Sequence, residues 1–222
     1  MNARSIVYKT TKLRNLVNCN SPSIVCNVET WLNNTYTNNF FQLQDYQLFR
    51  MDRDSENGGV LMAVKHKHRA VQVDIESKTE IIAIDLMLES ESLRIITAYI
   101  PHSSDVKYFK KIFELIIIIS HCKNFYIFGD LIFPYFNWQT LTYPFTKPYI
   151  QFSDFIFNNS PIYQFVNFQS KGDHILDLIL SNNSTFVKQL IPNAPLEMSD
   201  HVTLGVLNLT YSTSKHATLK YF

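Results

Sequence analysis

The sequence predicts an α+β protein in which two β-sheets pack face to face and helices cover the outside. Short apolar or alternating segments, which are typical of strands, outnumber segments with helical spacing. Many neighbouring strand segments are separated only by short polar turns, which favours antiparallel pairing, and the helical segments fall between pairs of strands. The chain has 222 residues, of which 46% are hydrophobic, enough for one large domain with a sizeable core.

The first half of the chain contains one helical segment followed by strands. The helix is indicated by apolar residues among basic ones, and the strands by β-branched residues in alternation. Gly58 and Gly59 mark the turn inside the first pair of strands. The predicted elements are a helix at 5–18 and strands at 23–29, 46–64 (two strands and a turn), 70–75, 79–88 and 93–100.

The second half alternates helices and strands. Its most apolar stretch, IFELIIIIS at 112–120, is too short to cross a bilayer and contains Glu114, so it predicts a core helix. The predicted elements are helices at 105–121 and 149–158 and strands at 124–130, 175–181 and 201–209. We predict a domain over residues 1–211 and a frayed, polar C-terminal tail over residues 212–222.

Composition limits the classes of partner and compartment. A formal net charge of +1 gives no general attraction to polyanions, so nucleic acid would have to meet a local basic patch. The isolated Cys19, Cys26 and Cys122 indicate buried thiols in a reducing compartment. No signal-peptide pattern or membrane-spanning stretch is present, which predicts an intracellular protein. The sequence does not indicate an oligomeric state.

Acidic side chains recur at the ends or edges of the apolar strands. The stretch FGDLIFPYFNW at 128–138, in which an apolar strand stops at Asp130, is one example. Each acid alone has an ordinary explanation, such as an outward-facing Asp177 or a capping role for Glu29. Together they indicate a site, because buried carboxylates need partners, protons or a metal. The full set is Glu29, Asp130, Asp177 and Asp200, with His201 adjacent to the last.

The candidate ligands are hard carboxylate oxygens, and the chain has no closely spaced cysteine pair. Both observations favour Mg²⁺ or Mn²⁺ over zinc. An acid and a histidine beside such an ion suit hydrolysis of a phosphate ester. Serine-nucleophile chemistry is the alternative, but the five glycines form no G-x-S-x-G elbow, phosphate-binding loop or dinucleotide fingerprint.

Seven motifs in order carry a resemblance to a known family. They are NARSI at 2–6 with Lys9, VETWL at 28–32, YQLFRMDRDSENGGVLMAVK at 46–65, TAYIP at 97–101, FGDLIFPYFNW at 128–138, GDHILDLILSN at 172–182 and SDH at 199–201. The chain resembles the endonuclease/exonuclease/phosphatase superfamily. Within it, the chain is most similar to the endonuclease domain of non-LTR (LINE-like) retrotransposons.

The resemblance implies a DNase I-like, four-layer α/β/β/α sandwich and hydrolytic nicking of DNA that primes reverse transcription. It also implies a nuclear protein and a reverse transcriptase module as partner in the full element. Glu29 would be the main Mg²⁺ ligand, with Asp130 and Asp200 near the metal. Asp130 would orient or deprotonate the attacking water. Asn2 and Tyr99 would contact the scissile phosphate. His201 would donate a hydrogen bond to a phosphate oxygen, and Asp177 would hold His201 in one tautomer.

Two departures from the family pattern bear on activity. The family motif Gly-Asp-Phe-Asn reads Gly129-Asp130-Leu131-Ile132 here, and Ile132 cannot replace the amide that positions water or phosphate. Asn2 almost opens the chain, so we expect the first sheet to lack its N-terminal strand and Asn2 to lie on a loose terminus. These departures leave open a catalytically inactive remnant that only folds or binds DNA. A phosphatase acting on a soluble substrate is a third, disfavoured reading.

Basic and aromatic residues outside these motifs have open interpretations. Lys65, Lys67 and Arg69 belong to a basic run that is either a solvated hairpin tip or a DNA-contacting loop. Arg50 and Arg53 either bind the DNA backbone or pair with nearby acids, which are Asp52, Asp54 and Glu56. Trp31 and Trp138 are predicted to be packing residues, with a wedge in a DNA groove as the alternative.

Overall fold

The computed structural model describes residues 1–53, 57–89, 92–121, 124–158, 162–184, 187–210 and 218–221. Its helices are α1 (Thr10–Asn20), α2 (Val106–Ser120) and α3 (Lys147–Asn158), with a 3-10 helix at Asn38–Phe41. Its first strands are β1 (Ile24–Val28), β2 (Tyr46–Met51), β3 (Val60–Lys65), β4 (Ala70–Gln72), β5 (Ile81–Met87) and β6 (Ser92–Tyr99). The later strands are β7 (Asn124–Asp130), β8 (Tyr163–Gln164), β9 (Asp177–Ser181), β10 (Val187–Asn193), β11 (Thr203–Thr210) and β12 (Thr218–Tyr221).

These strands form two mixed sheets. The first has the order β10-β11-β12-β1-β3-β2 and the second has the order β4-β5-β6-β7-β9-β8. Within each sheet one pair is parallel, β1 with β12 in the first and β6 with β7 in the second, and the other pairs are antiparallel. The two sheets, largely antiparallel, confirm the predicted sandwich architecture.

Side-chain alternation divides the core into three layers. On β1, Ile24, Cys26 and Val28 face the second sheet, where they join residues of β5, β6, β7 and β9 in the central core. Val25 faces the other way and packs with Leu13 and neighbouring residues of α1. On the far side of the second sheet, α2 and α3 bury an aromatic cluster. The result is the predicted α/β/β/α sandwich.

Several element boundaries differ from the sequence prediction. The first helix begins at Thr10, not residue 5, because Arg4 and Ser5 adopt positive φ angles of 43° and 71° that no helix accommodates. Strands β8 and β10 were not predicted. Residues Thr218–Tyr221, expected to belong to a frayed tail, pair with β11 and β1 instead. The domain limit at residue 211 stays a prediction.

Asn2 is not on a loose terminus, so that prediction was wrong. Its side chain is buried, and Asn2 forms a parallel bridge with Val28 on the edge of β1 that β12 also borders. Backbone hydrogen bonds join Ala3 N–H to Val28 O and Val28 N–H to Met1 O, both at 2.9 Å. The start of the chain is therefore held beside β1 by an isolated bridge, and the expectation that the first sheet lacks its N-terminal strand stays a prediction.

Two further expectations concern cysteines and membranes. Cys26 is buried as expected, whereas Cys19 is exposed on α1, and Cys122 lies outside the described residues. No helix in the described ranges has the length and apolar character needed to cross a bilayer.

Candidate active site

Strand topology brings the predicted site residues to one edge of the sandwich. Tyr99 at the end of β6 is the partner of Asp130 at the end of the parallel strand β7. Asp130 is in turn the partner of Asp177 at the start of the antiparallel strand β9. Glu29 follows the last residue of β1, and His201 lies two residues before β11. Residues far apart in sequence therefore meet at the same end of both sheets.

The centre of the site is a buried group of two acids and a histidine. One ligand atom from each of Asp130, Asp177 and His201 lies within 4.8 Å of the others. His201 Nδ1 is 2.6 Å from Asp177 Oδ2, and His201 Nε2 is 3.8 Å from Asp130 Oδ2. Because a carboxylate can only accept, the Nδ1 atom carries the proton in this pair. Nε2 thus faces Asp130, and it lies 3.9 Å from Asp200 Oδ1.

Burial and charge shift the pKa values of this group. Burial raises the pKa of Asp130 to about 7, and the neighbouring Asp177 carboxylate adds to this effect, although His201 and Asn2 oppose it. Burial by itself lowers the pKa of His201, but the hydrogen bond and charge of Asp177 outweigh it, so the pKa is raised. Asp130 is therefore poised to exchange a proton near neutral pH, beside a histidine that favours its charged form.

Asn2 links the two sides of the site. Its Nδ2 atom donates hydrogen bonds to Glu29 Oε1 at 3.2 Å and to Asp130 Oδ2 at 2.9 Å. Tyr99 O–H also donates to Glu29 Oε1, at 2.7 Å. Burial, followed by the charge of Glu29, raises the pKa of Tyr99 and keeps its hydroxyl protonated. Two carboxylates from opposite sheets therefore lie within one hydrogen bond of the same amide nitrogen.

The SDH segment is anchored to the same residue. Ser199 Oγ donates to the backbone oxygen of Asn2 at 2.8 Å, and His201 N–H donates to Ser199 Oγ at 3.2 Å. These bonds fix the backbone of His201 relative to Asn2, and so relative to Glu29. The short motif thus orients its histidine through the serine.

Two site residues have strained backbones. Glu29 has a φ of 52° and Ile132 a φ of 49°, in the left-handed region that β-branched side chains rarely adopt. Ile132 N–H donates to Asp130 Oδ1 at 3.3 Å, which ties the turn to the carboxylate. Asparagine tolerates this conformation well, so the asparagine that the sequence resemblance leads us to expect at this position would fit the backbone that Ile132 adopts.

Asp200 lies at the rim. Its side chain is 41% exposed and forms ion pairs with Arg4 at 3.4 Å and Lys171 at 3.2 Å. Partial burial alone raises the pKa of Asp200, but the hydrogen bond and charge of Lys171 reverse this, so the pKa is lowered. Asp200 is outside the buried group of Asp130, Asp177 and His201, and its expected place near a metal stays a prediction.

The predicted DNA-binding residues do not lie together. Lys65 ends β3, whereas the start of β3 is at the site, so the basic run from Lys65 through Lys67 to Arg69 lies at the opposite end of the sheet. Five residue steps of a strand separate the two ends of β3 by about 17 Å. Contacts of these three residues with DNA stay a prediction, but the fold places them away from Glu29.

The two arginines of β2 and its following turn have internal partners. Arg50 is nearly buried, pairs with Asp52 at 2.5 Å and donates to the backbone oxygen of Tyr36. Arg53 is 40% exposed and lies 3.7 Å from Glu80 near the site. The alternative partners Asp54 and Glu56 lie outside the described residues. Arg50 is therefore occupied by protein contacts, while Arg53 remains partly available to solvent.

The tryptophans have different surroundings. Trp138 is half-buried against Phe136 and Phe152, in agreement with a packing role. Trp31 is 36% exposed, has a φ of 56° and donates from its indole nitrogen to Glu29 Oε2 at 3.4 Å. Trp31 thus contacts a site carboxylate instead of the core.

Sequence reasoning missed Glu80, which lies at the same edge. Glu80 directly precedes β5, its side chain is buried, and it accepts a hydrogen bond from Gly59 N–H at 3.0 Å. Burial raises the pKa of its carboxyl, and the charge of Glu29 adds to this effect. The signal was present: like Glu29 and Asp130, Glu80 is an acid that adjoins an apolar strand.

The fold is a four-layer α/β/β/α sandwich, and a buried polar group lies at the edge where segments from both sheets converge. No protein-family model matches the chain, and no curated protein matches it in sequence. Solved structures, in contrast, match over nearly the whole chain.

Three solved structures illustrate the likeness. The endonuclease domain of TRAS1, a telomere-specific non-LTR retrotransposon, has a TM-score of 0.71 at 11% identity, over 96% of this chain and 97% of that one. A 3′-5′ exonuclease from Neisseria meningitidis has a TM-score of 0.68 at 12% identity, over 91% and 95%. An AP endonuclease from Archaeoglobus fulgidus has a TM-score of 0.63 at 16% identity, over 91% and 95%. At these identities the likeness establishes the fold.

Proposed function

We propose that this chain is a divalent-metal-dependent phosphodiester hydrolase that nicks DNA, of the type found in non-LTR retrotransposons. The observation that carries the proposal is the convergence of Glu29, Asp130 and the His201–Asp177 pair at one edge of a fold shared with nucleases. The order of motifs along the chain, which resembles the retrotransposon endonucleases, supports the choice of DNA as substrate.

The residues at the site fit a hard divalent cation, Mg²⁺ or Mn²⁺. Glu29 and Asp130 approach one amide nitrogen from two sheets. Burial, and after it the charge of Asp177, raises the pKa of Asp130, and a cation at this position would compensate the buried negative charge. Glu29 and Asp130 would hold the ion, with Asp200 completing the set from the rim. The ion would stabilise negative charge on the phosphate and its leaving oxygen.

The side chains around that position divide the remaining work. Asp130, held by the hydrogen bond from Asn2, orients the attacking water or accepts its proton. His201, charged and held by Asp177, donates from Nε2 to a non-bridging phosphate oxygen. Asn2 and Tyr99, fixed to Glu29, contribute neutral donors on the other side of the phosphate.

Ile132 limits the rate. The family's asparagine would place an amide beside Asp130, whereas Ile132 offers only apolar surface. Loss of one positioning hydrogen bond in such a site costs on the order of 10²–10³ in rate. This same residue favours the second candidate function, a remnant of a mobile element that folds and binds DNA but does not hydrolyse it.

In an intact element the nick would supply a 3′-hydroxyl for a reverse transcriptase module, and the protein would act in the nucleus. The proposal is tested by incubating supercoiled plasmid with wild-type protein and Mg²⁺, with EDTA, and with Glu29→Gln, which keeps the acceptor for Tyr99 but removes the charge. We expect slow nicking that EDTA and Glu29→Gln abolish. EDTA-resistant nicking, or faster cleavage of a soluble phosphate monoester than of DNA, would contradict the proposal.

A further inference from the structure

Glu80 joins the two sheets at the site edge. It directly precedes β5 of the second sheet, and its Oε1 atom accepts from the N–H of Gly59, which directly precedes β3 of the first sheet. The residue is 4% exposed, and Oε2 has no hydrogen-bond partner among the described residues. A buried carboxylate is costly unless it makes specific contacts, so this bridge between sheets needs an explanation.

The glycine pair in front of β3 fits between Glu80 and Thr30. Gly58 and Gly59 have φ angles of 80° and 84°. A Cβ atom on Gly58 would lie 2.2 Å from Glu80 Oε1, and one on Gly59 would lie 2.6 Å from Thr30 Oγ1. Only glycine can both adopt these angles and permit this approach. Glu80 and Thr30 therefore lie closer to the glycine backbone than any other residue at these two positions would allow.

That backbone in turn holds the segment that presents Glu29. Gly59 O accepts from Thr30 N–H at 3.3 Å, and Gly58 O accepts from Trp31 N–H at 2.9 Å. Glu29 and Trp31 have positive φ angles, which cost free energy and persist only when surrounding contacts enforce them. The glycine carbonyls supply such contacts on the C-terminal side of Glu29.

The backbone of Glu80 fixes the partner of Glu29. Tyr99 N–H donates to Glu80 O at 2.9 Å, and Glu80 N–H donates to Tyr108 Oη at 3.2 Å. Tyr99 O–H then donates to Glu29 Oε1. The contacts form a closed ring that runs from Glu80 through the glycine pair to Glu29, and back through Tyr99.

We propose that Glu80 is a positioning residue that sets the geometry of Glu29 and Tyr99 by bridging the two sheets through Gly59. The proposal rests on the proposed function in one respect, the assignment of Glu29 as a metal ligand. Glu80 touches no reacting atom, so its removal changes how well Glu29 is placed and leaves the chemistry of the site groups intact.

The test compares four proteins with wild type. Glu80→Ala removes the contact with Gly59, and Glu80→Asp keeps the charge but is one methylene too short to reach it. Glu80→Gln keeps the acceptor oxygen. Asp85→Asn is the matched control, since Asp85 is also an acid of the β5 segment with an arginine partner, Arg94, away from the site. If Glu80→Ala does not fold, Glu80→Asp carries the test.

The first measurement is amide hydrogen exchange by NMR in metal-free protein, which does not depend on catalysis. We expect Glu80→Ala and Glu80→Asp to speed exchange at Gly59, Thr30 and Trp31 at least about tenfold relative to core amides of β7. Glu80→Gln and Asp85→Asn should exchange like wild type. Unchanged protection of these three amides in both disruptive variants would overturn the proposal whether or not the protein is a nuclease.

The second measurement is the Mn²⁺ dissociation constant by calorimetry. Glu80→Ala and Glu80→Asp should weaken Mn²⁺ binding about 10- to 100-fold, because loss of a residue that holds a metal ligand in place usually has an effect of this size. Glu80→Gln should bind Mn²⁺ like wild type. Faster exchange with unchanged Mn²⁺ affinity would show that the bridge is only structural and would overturn the proposal. If wild type neither binds Mn²⁺ nor nicks DNA, the proposed function fails and the exchange measurement alone decides the role of Glu80.

Discussion

His201 Nδ1 lies 2.6 Å from Asp177 Oδ2, and both side chains are buried. The pair fixes the tautomer and the orientation of the imidazole, so that Nε2 faces Asp130. Asp177 directly follows the buried Leu176 in the apolar segment ILDLIL, where an outward-facing acid would be ordinary. Its pairing with His201 makes Asp177 part of the site.

Asp177→Asn should lower the nicking rate about 100-fold, because an asparagine amide holds the imidazole less firmly and does not stabilise its charged form. Single-turnover nicking of plasmid DNA measures the effect, and DNA affinity measured without metal should be unchanged. Asp173→Asn, an exposed acid in the preceding turn, is the control and should nick like wild type. Equal rates for the two variants would show that the pair has no role in hydrolysis.

Ile132→Asn should raise the free energy of unfolding by about 1 kcal/mol, because a φ of 49° is unfavourable for isoleucine and readily adopted by asparagine. Urea denaturation of metal-free protein provides the measurement. Ile132→Val keeps the β-branch and should have the same free energy of unfolding as wild type. The explanation fails if the asparagine variant is less stable than the valine variant.

Stability in EDTA should depend on pH through Asp130. Its pKa is raised from 3.8 to about 7 in the folded state, so the stabilisation from its protonated form is complete below about pH 4 and is lost as the pH rises through 7. Asparagine does not ionise, and Asp130→Asn should therefore be more stable than wild type at pH 8 by up to about 4 kcal/mol, the free-energy equivalent of the pKa shift. The difference should shrink towards pH 5. A difference that is constant, or that grows on acidification, is the contrary result.

DNA affinity should depend more on Lys171 than on Lys67. Lys171 lies at the rim beside Asp200, whereas Lys67 belongs to the hairpin at the far end of the sheet. Removing a phosphate contact weakens binding and lowers the slope of affinity against salt concentration by about 1. We expect this change for Lys171→Ala in fluorescence anisotropy titrations with metal-free protein. If Lys67→Ala changes the slope and Lys171→Ala does not, the bound DNA follows the hairpin instead.

Local patterns in the sequence were sufficient for the architecture and for most elements. Alternation of apolar residues predicted the strands that line the central core. The acids at the ends of those strands were predicted to form a site, and they lie together at one edge of the sandwich. The order of short motifs suggested individual roles, such as the pairing of His201 with Asp177, which the structure places in contact.

Long-range pairing was beyond the reach of these patterns. Glu80 is an acid beside an apolar strand, as Glu29 and Asp130 are, but its contact with Gly59 arises only where the two sheets meet. The burial of Asn2 depends on pairing with Val28 and on Ser199, which is distant in sequence. The basic run at Lys65 suggested DNA contact by charge alone, and only strand direction reveals that it lies at the opposite end from Glu29.

We propose that this edge of the sandwich is a nuclease site and that Ile132 lowers its rate. Single-turnover nicking of supercoiled DNA by wild type and Ile132→Asn, each with Mg²⁺ and with EDTA, tests it most directly. We predict that Ile132→Asn nicks about 100-fold or more faster than wild type, and that EDTA or a further Glu29→Gln change abolishes the gain. A folded Ile132→Asn protein that binds DNA and Mg²⁺ but never nicks would contradict the account.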